Sequence, residues 1–376
     1  MIVDLIGFGI VMPILPFWAG ELGASPTLYG VILSAYAAAQ FVCSPLWGRL
    51  SDRIGRRRVL LITVAGTAAA LALLALANSL ALVLVARLLA GAFAGNIGVA
   101  SAYITDVTPP AERTGKLALI GLCFAVGFSI GPALAWPLTA LGTRAPLWFA
   151  AGLAALNWVA AFAFLRDSAR ADASHSSGEA LRFGALADPR VRALALANLL
   201  FSISVTQLES MFPLLMRDEF GFSEREFVPL LVAMAVVMAI VQGGMRKLAP
   251  LVGEARLALA GCALMALAFA AIPEMPSVGL LLAPLALSAV GRALAQPSML
   301  GLVSLAATPA TRGQVMGTFQ AMASLARVFG PATAGVLYAR GVGLPFWLAS
   351  ACTTLLLLAP WRRLARELGA TAEASS

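Results

Sequence analysis

The sequence predicts an all-α polytopic membrane protein, with twelve transmembrane helices in two pseudo-symmetric six-helix bundles. Composition is the first reason. Of 376 residues, 60% are hydrophobic and only 12% charged, with a mean hydropathy of +0.90. A soluble chain carries about twice that charge. Continuity of the apolar runs is the second reason. They do not alternate, which excludes a closed β-barrel, and at ~20 residues per span with short loops the length accommodates about twelve helices. An internal repeat is the third. Arg113-Thr-Gly-Lys leads to Gly131-Pro132, and Arg312-Gly-Gln leads to Gly330-Pro331 with the same spacing of 19, at an offset of 199. Duplication of a six-helix half explains that offset.

The net charge of +8 is a topology signal rather than a nucleic-acid footprint. With the loop 48–58 placed inside, 19 of the 26 Lys and Arg fall in inside loops or tails, 4 in outside loops, and Arg87, Arg292 and Arg327 within spans. The positive-inside rule then puts both termini in the cytoplasm of a multi-pass protein in the cell membrane. Cys43, Cys123, Cys262 and Cys352 all lie in apolar runs with no C-x-x-C spacing and read as small packing residues. His175, the single histidine, lies in the middle loop, so no histidine relay or zinc site is expected within the spans.

Taken in order, the spans are 2–18, 28–47, 59–77, 80–105, 117–141 and 147–165 in the first half. The first is short and lacks a basic or aromatic anchor before it, which points to a longer natural N-terminus, and no basic n-region marks a signal peptide. Residues 166–190 turn polar and form a cytoplasmic linker. Spans 191–216, 227–245, 256–272, 280–306, 315–338 and 345–361 make the second half, and 362–376 a cytoplasmic tail. The domain reading is therefore 1–165, linker 166–190, 191–361 and the tail.

Between spans 2 and 3 lies Gly48-Arg49-Leu50-Ser51-Asp52-Arg53-Ile54-Gly55-Arg56-Arg57-Arg58. Five arginines cannot enter hydrocarbon, and the glycines permit a tight turn. The pattern G-x-L-x-D-R-x-G-R-R resembles the loop between helices 2 and 3 of the major facilitator superfamily of transporters. Asp4, Gly7, Gly9, Pro13 and Pro16 form a D-x-x-G-x-G-x-x-x-P-x-x-P run similar to helix 1 of its twelve-span drug:proton antiporters, tetracycline efflux pumps among them. Arg87 and Gly91 resemble the R-x-x-x-G motif of helix 4. Gly127, Gly131 and Pro132 resemble the helix 5 antiporter motif with departures, since Ala118 replaces its first glycine and Ala135-Trp136 its last pair. Resemblance implies the major facilitator fold, alternating access, and bends at Pro13, Pro16, Pro132 and Pro331 beside Gly127, Gly131 and Gly330. It also implies a cytoplasmic gating network of Gly48, Asp52, Arg53, Gly55, Arg56 and Arg113, in which Asp52 engages the start of helix 11. In the second half the counterpart, 244–256, keeps the bases and glycines and is read as having lost the acid.

An ionisable group at the bilayer centre costs ~2.5–3.5 kcal/mol and normally faces a cavity or a partner. Asp4, Arg87 and Glu209 are the candidates for proton coupling. Asp4 either couples protons or snorkels to the surface, and Arg87 either couples or is a structural cation. Asn96 and Tyr103 lie on the face opposite Arg87, and which face lines a cavity is open. Asn198, Ser202 and Glu209 share a helical face with Phe212 nearby, a polar stripe suited to an amphipathic or cationic molecule. Ser288, Arg292, Gln296 and Met299 share another face, and Gln320, Ser324 and Arg327 a third. Either arginine could pair with Glu209 or meet a substrate carboxylate, and Gln207 falls opposite as a packing contact.

The leading functional reading is secondary active, proton-coupled efflux of hydrophobic or amphipathic small molecules. The alternatives are a facilitator or proton symporter importing a nutrient, and a non-transporting receptor or scaffold. Tetracycline itself is disfavoured, because runs 59–77 and 256–272 lack the acids its pumps carry there. Neither a triad nor a metal constellation nor G-x-x-x-x-G-K-[ST] is present, so no enzyme, cofactor or ATP-driven pump is expected. The expected partners are the small-molecule substrate, protons and the lipid bilayer, not nucleic acid, with the chain acting as a monomer.

Overall fold

In the computed structural model, the described residues are 2–109, 112–165, 188–306 and 311–358. They hold α1 (Ile2–Glu21), α2 (Pro26–Ile54), α3 (Arg56–Leu76), α4 (Leu80–Phe93), α5 (Asn96–Val107), α6 (Arg113–Thr139) and α7 (Ala145–Phe164). After the linker come α8 (Pro189–Phe220), α9 (Glu224–Val252), α10 (Glu254–Ala271), α11 (Val278–Ala306), α12 (Arg312–Arg340) and α13 (Leu344–Leu355). No strand occurs among the described residues. Among the described residues, nine stretches are long and apolar enough to cross a membrane, α4 and α5 counting together as Leu80–Val107. At the places expected for spans 5, 11 and 12 stand α6, α12 and the short α13.

Local chemistry sets the helix ends. The Ser25 hydroxyl accepts from Leu28 N at 3.3 Å and Pro26 follows it at the first helical position, while Ser79 accepts from Leu82 N at 3.3 Å. α2 and α3 are parted by one residue, Gly55, at φ 100°, and α9 and α10 by one residue, Gly253, at φ 88°. Only glycine takes that conformation without strain. Two equivalent glycine turns, 198 positions apart, show the internal repeat in the backbone. α1 continues through Pro13 and Pro16.

Small residues let the helices touch. A Cβ on Gly9 would fall 2.5 Å from Gly127 O, and one on Gly131 would fall 2.6 Å from Gly9 Cα. Backbone of α1 therefore lies directly on backbone of α6. α10 and α11 repeat the device, since a Cβ on Gly261 would sit 2.5 Å from Gly291 O. Lipid tails are as apolar as leucine, so close packing rather than a hydrophobic force must join such helices. The break between α4 and α5 frees carbonyls that cannot be left bare in hydrocarbon. Trp47 Nε1 donates to Ala92 O at 2.6 Å, and Gln40 Nε2 to Ala94 O at 3.2 Å, both from α2.

The chain divides into two compact units. One comprises Met1–Gly178 with Met216–Val232, the other Glu179–Leu215 with Ala233–Ser376. The turn between α8 and α9 joins the first unit through Phe17 against Phe227, with ring centroids 5.6 Å apart, and through Arg217 Nη1 to Pro16 O at 3.5 Å.

Candidate functional site

The second unit holds a partly open cavity of about 170 Å³. Asn198, Ser202 and Glu209 reach it from α8, Arg292, Gln296 and Met299 from α11, and Gln320 and Arg327 from α12. Each set recurs at steps of three, four or seven, so each helix turns one stripe inward. Arg292 Nη1 stands 2.5 Å from Glu209 Oε1, with the two side chains 29% and 38% exposed. Arg292 Nε donates to Gln296 Oε1 at 3.4 Å, one turn along the same helix. Arg327 Nη2 donates to Ser324 Oγ at 3.1 Å. Apolar walls come from Phe201, Phe319 and Met299. The site thus offers a charged pair, amides and aromatic faces, the makings of a pocket for an amphipathic molecule.

Other α8 side chains hold the helix in place. Asn198 lines the cavity but is itself buried, donating to Phe319 O at 2.7 Å. Gln207 Nε2 donates to Gly330 O at 3.1 Å and to Thr333 Oγ1 at 3.2 Å, so it packs away from the cavity. Ser204 Oγ donates to Ala349 O at 2.8 Å. A Cβ on Gly330 would overlap the Thr206 side chain, which binds α8 closely to α12 just before Pro331. Phe212 is buried and lies off the lining, one step around the helix from Glu209. Ser288 also lies off it, donating to Leu285 O at 2.7 Å.

The other expected ionisable groups sit in the first unit. Asp4 Oδ1 accepts from Asn157 Nδ2 at 2.9 Å, joining α1 to α7. Arg87 is 2% exposed, its guanidinium carbon 4.2 Å from the Tyr36 ring centroid. Among the described residues it makes no ion pair, so the aromatic face is its main electrostatic support, worth about 0.5–2 kcal/mol. Asn96 opens α5 and is buried.

At the basic turn, Arg56 Nη1 binds Asp52 Oδ1 at 2.5 Å and Ser51 Oγ at 2.5 Å, while its Nε reaches Asp106 Oδ2 at 3.2 Å. Asp52 thus has a partner one turn along its own unit. Asp106 was not anticipated, although its position just past the fourth expected span was a usable signal. A Cβ on Gly48 would meet open space, and Arg53 is exposed. The Arg113 side chain lies outside the described residues. In the second half the turn does carry an acid, Glu254, whose carboxylate packs where a Cβ on Gly301 would lie. Among the described residues, no three of His, Cys, Asp and Glu gather to hold a metal.

Sequence comparison matches the chain to the family described as Major Facilitator Superfamily, over residues 1–277 and 194–374. The human major facilitator superfamily domain-containing protein 10 is 29% identical over 408 residues, covering 93% of this chain and 86% of that protein. The class E tetracycline resistance protein of Escherichia coli is 30% identical over 352 residues, covering 89% and 85%. Among solved structures, the human organic anion transporter MFSD10 (TETRAN) aligns with a TM-score of 0.69 at 26% identity, covering 97% of this chain and 96% of that one. An inward-facing, unoccupied bacterial homologue of the human lysosomal transporter Spinster aligns with a TM-score of 0.77 at 15% identity, covering 98% and 95%, a likeness of fold. With a helical membrane fold, a repeated half and a family match across its length, this chain belongs to the Major Facilitator Superfamily.

Proposed function

We propose that this transporter is a proton-coupled exporter of amphipathic small molecules, binding them in the cavity of the second unit. The Glu209–Arg292 pair carries the reading. A pair this exposed contributes about 0.2–1 kcal/mol, so a substrate group or a proton can displace either partner at small cost. A cationic substrate group would take Glu209 from Arg292, and protonation of Glu209 would release it. Substrate and proton then compete for one carboxylate, which is the thermodynamic requirement for antiport. Asp4 and Arg87 would serve as the coupling groups of the other half. Exchange of one monocation for one proton moves no net charge, so the pH difference drives it, at about 1.4 kcal/mol or a tenfold gradient per pH unit.

In this proposal the working unit is one chain, with bundles 1–165 and 191–361 rocking about the linker and both termini in the cytoplasm. The network of Asp52, Arg53, Arg56 and Arg113 would hold the cytoplasmic side closed, and its disruption would favour the inward-open state. Kinship with tetracycline resistance proteins supports the export direction.

One observation favours a second reading. The lining holds two arginines and a single acid. An organic anion would be drawn to Arg292, and it would bind better once Glu209 is protonated. Proton and anion would then cooperate, which is symport. The likeness to an organic anion transporter and the altered helix 5 motif both fit that reading.

Proteoliposomes loaded with purified protein separate the two. Under an imposed pH gradient, lipophilic cations should provoke proton movement opposite to their own if export by antiport is right. Organic acids moving with protons, and cations inert, would overturn it in favour of symport. Movement of substrate without protons would leave a facilitator.

A further inference from the structure

The basic end of the first unit carries a surface that the transport cavity does not use. α3 opens with Arg56, Arg57 and Arg58, and the end of α7 lies beside it. Arg57 Nη2 donates to Phe162 O at 3.0 Å, and its guanidinium carbon is 6.0 Å from the Phe162 ring centroid. Trp158 stacks on Phe162 with centroids 5.9 Å apart. Both of those rings face outward, with Trp158 37% and Phe162 58% exposed. Arg58 is exposed too. One turn along α3 from Arg58 stands Ile62, 43% exposed, and Val159, beside Trp158, is 56% exposed.

Among the described residues, bases outnumber acids here. The basic turn and its flanks hold five arginines, and the acids Asp52 and Asp106 both turn to Arg56. From rim to membrane interior the surface therefore runs from the guanidiniums and the Phe162 ring to Trp158, Val159 and Ile62, which lie about one turn deeper. A phospholipid presents its phosphate, glycerol esters and acyl chains in the same order. Aromatic rings favour the ester level, and arginines at a membrane boundary attract anionic headgroups. A free phosphate would use the bases alone and leave the exposed rings and aliphatic side chains without a role.

We propose that this surface binds an anionic phospholipid, with Arg57 and Arg58 on the phosphate, Phe162 at the ester level, and Trp158, Val159 and Ile62 against the upper acyl chains. It assumes that the basic end lies at the cytoplasmic leaflet, and it is independent of what the cavity transports.

The test uses the purified full chain in detergent, with phosphatidylglycerol, phosphatidylcholine or inorganic phosphate added. Bound lipid is counted by native mass spectrometry, and thermal stability is followed in parallel. Phosphatidylglycerol should be retained and should raise Tm, while phosphatidylcholine and phosphate should not. Arg57 also caps the end of α7, so its loss would unsettle the fold. The exposed Arg58 is the safer probe, and Arg58→Gln should weaken phosphatidylglycerol retention about fivefold. Trp158→Leu should weaken it while leaving its salt dependence intact. Unchanged retention in Arg58→Gln overturns the proposal. So does equal retention of phosphatidylcholine, or a Tm rise reproduced by phosphate alone.

Discussion

Glu209 and Arg292 lie 83 positions apart, yet meet at 2.5 Å inside the second unit. Neither residue would be retained in a span without a partner or a water-filled space. Glu209→Gln removes the charge while keeping shape and hydrogen-bonding capacity. It should abolish concentrative transport and leave Tm within a few degrees, checked by uptake assay and thermal melt. Asp4→Asn should behave likewise, because the amide can keep a contact with Asn157 but cannot carry a proton. Transport unchanged in both variants would remove these residues from the coupling scheme. At the basic turn, a double-mutant cycle of Arg56→Gln and Asp106→Asn should report a coupling of about 0.5–1 kcal/mol in thermal stability. At this scale the sequence was partly legible. Glu209, Arg292 and Arg327 stood out because ionisable groups are costly in a span. Phe201 and Phe319 did not, since an aromatic beside a cavity and an aromatic in a core carry the same pattern.

Among the helices, glycine decides which pairs approach. Gly9, Gly127 and Gly131 bring α1 onto α6 with backbone touching backbone. Gly131→Leu must push the helices apart or force strained rotamers, an overpacking cost of about 1–3 kcal/mol or more. The expected result is a Tm loss of several degrees and poor yield, whereas the same change at Gly152, where nothing lies within 4 Å, should be nearly neutral. These motifs were visible as glycines at spacing four. Their partner helices were not, because spacing identifies a face and not what it meets. The same limit applied to Phe212, which periodicity placed near the polar stripe and packing removed from the cavity lining.

For the whole molecule, the asymmetry of basic residues makes a topological prediction. A fluorescent reporter fused after Ser376 should fold and fluoresce in the cytoplasm, and alkaline phosphatase at the same place should be inactive. The opposite pair of results would invert the membrane orientation and the assignment of the lipid surface with it. What the sequence by itself determined is the class of molecule. Apolar length and charge segregation follow from the cost of polar groups in hydrocarbon, which acts on each segment independently of its neighbours, and the repeat at half the chain is read directly from the sequence. Even the turn at Gly55 is local chemistry, since glycine takes the positive φ that parts α2 from α3. Tertiary structure alone decided which charges within the spans meet, that Arg87 rests on an aromatic ring, and that three polar stripes from α8, α11 and α12 line one cavity. Those outcomes depend on helix rotation and neighbour choice, set by packing between residues distant in the chain, and no single segment encodes them.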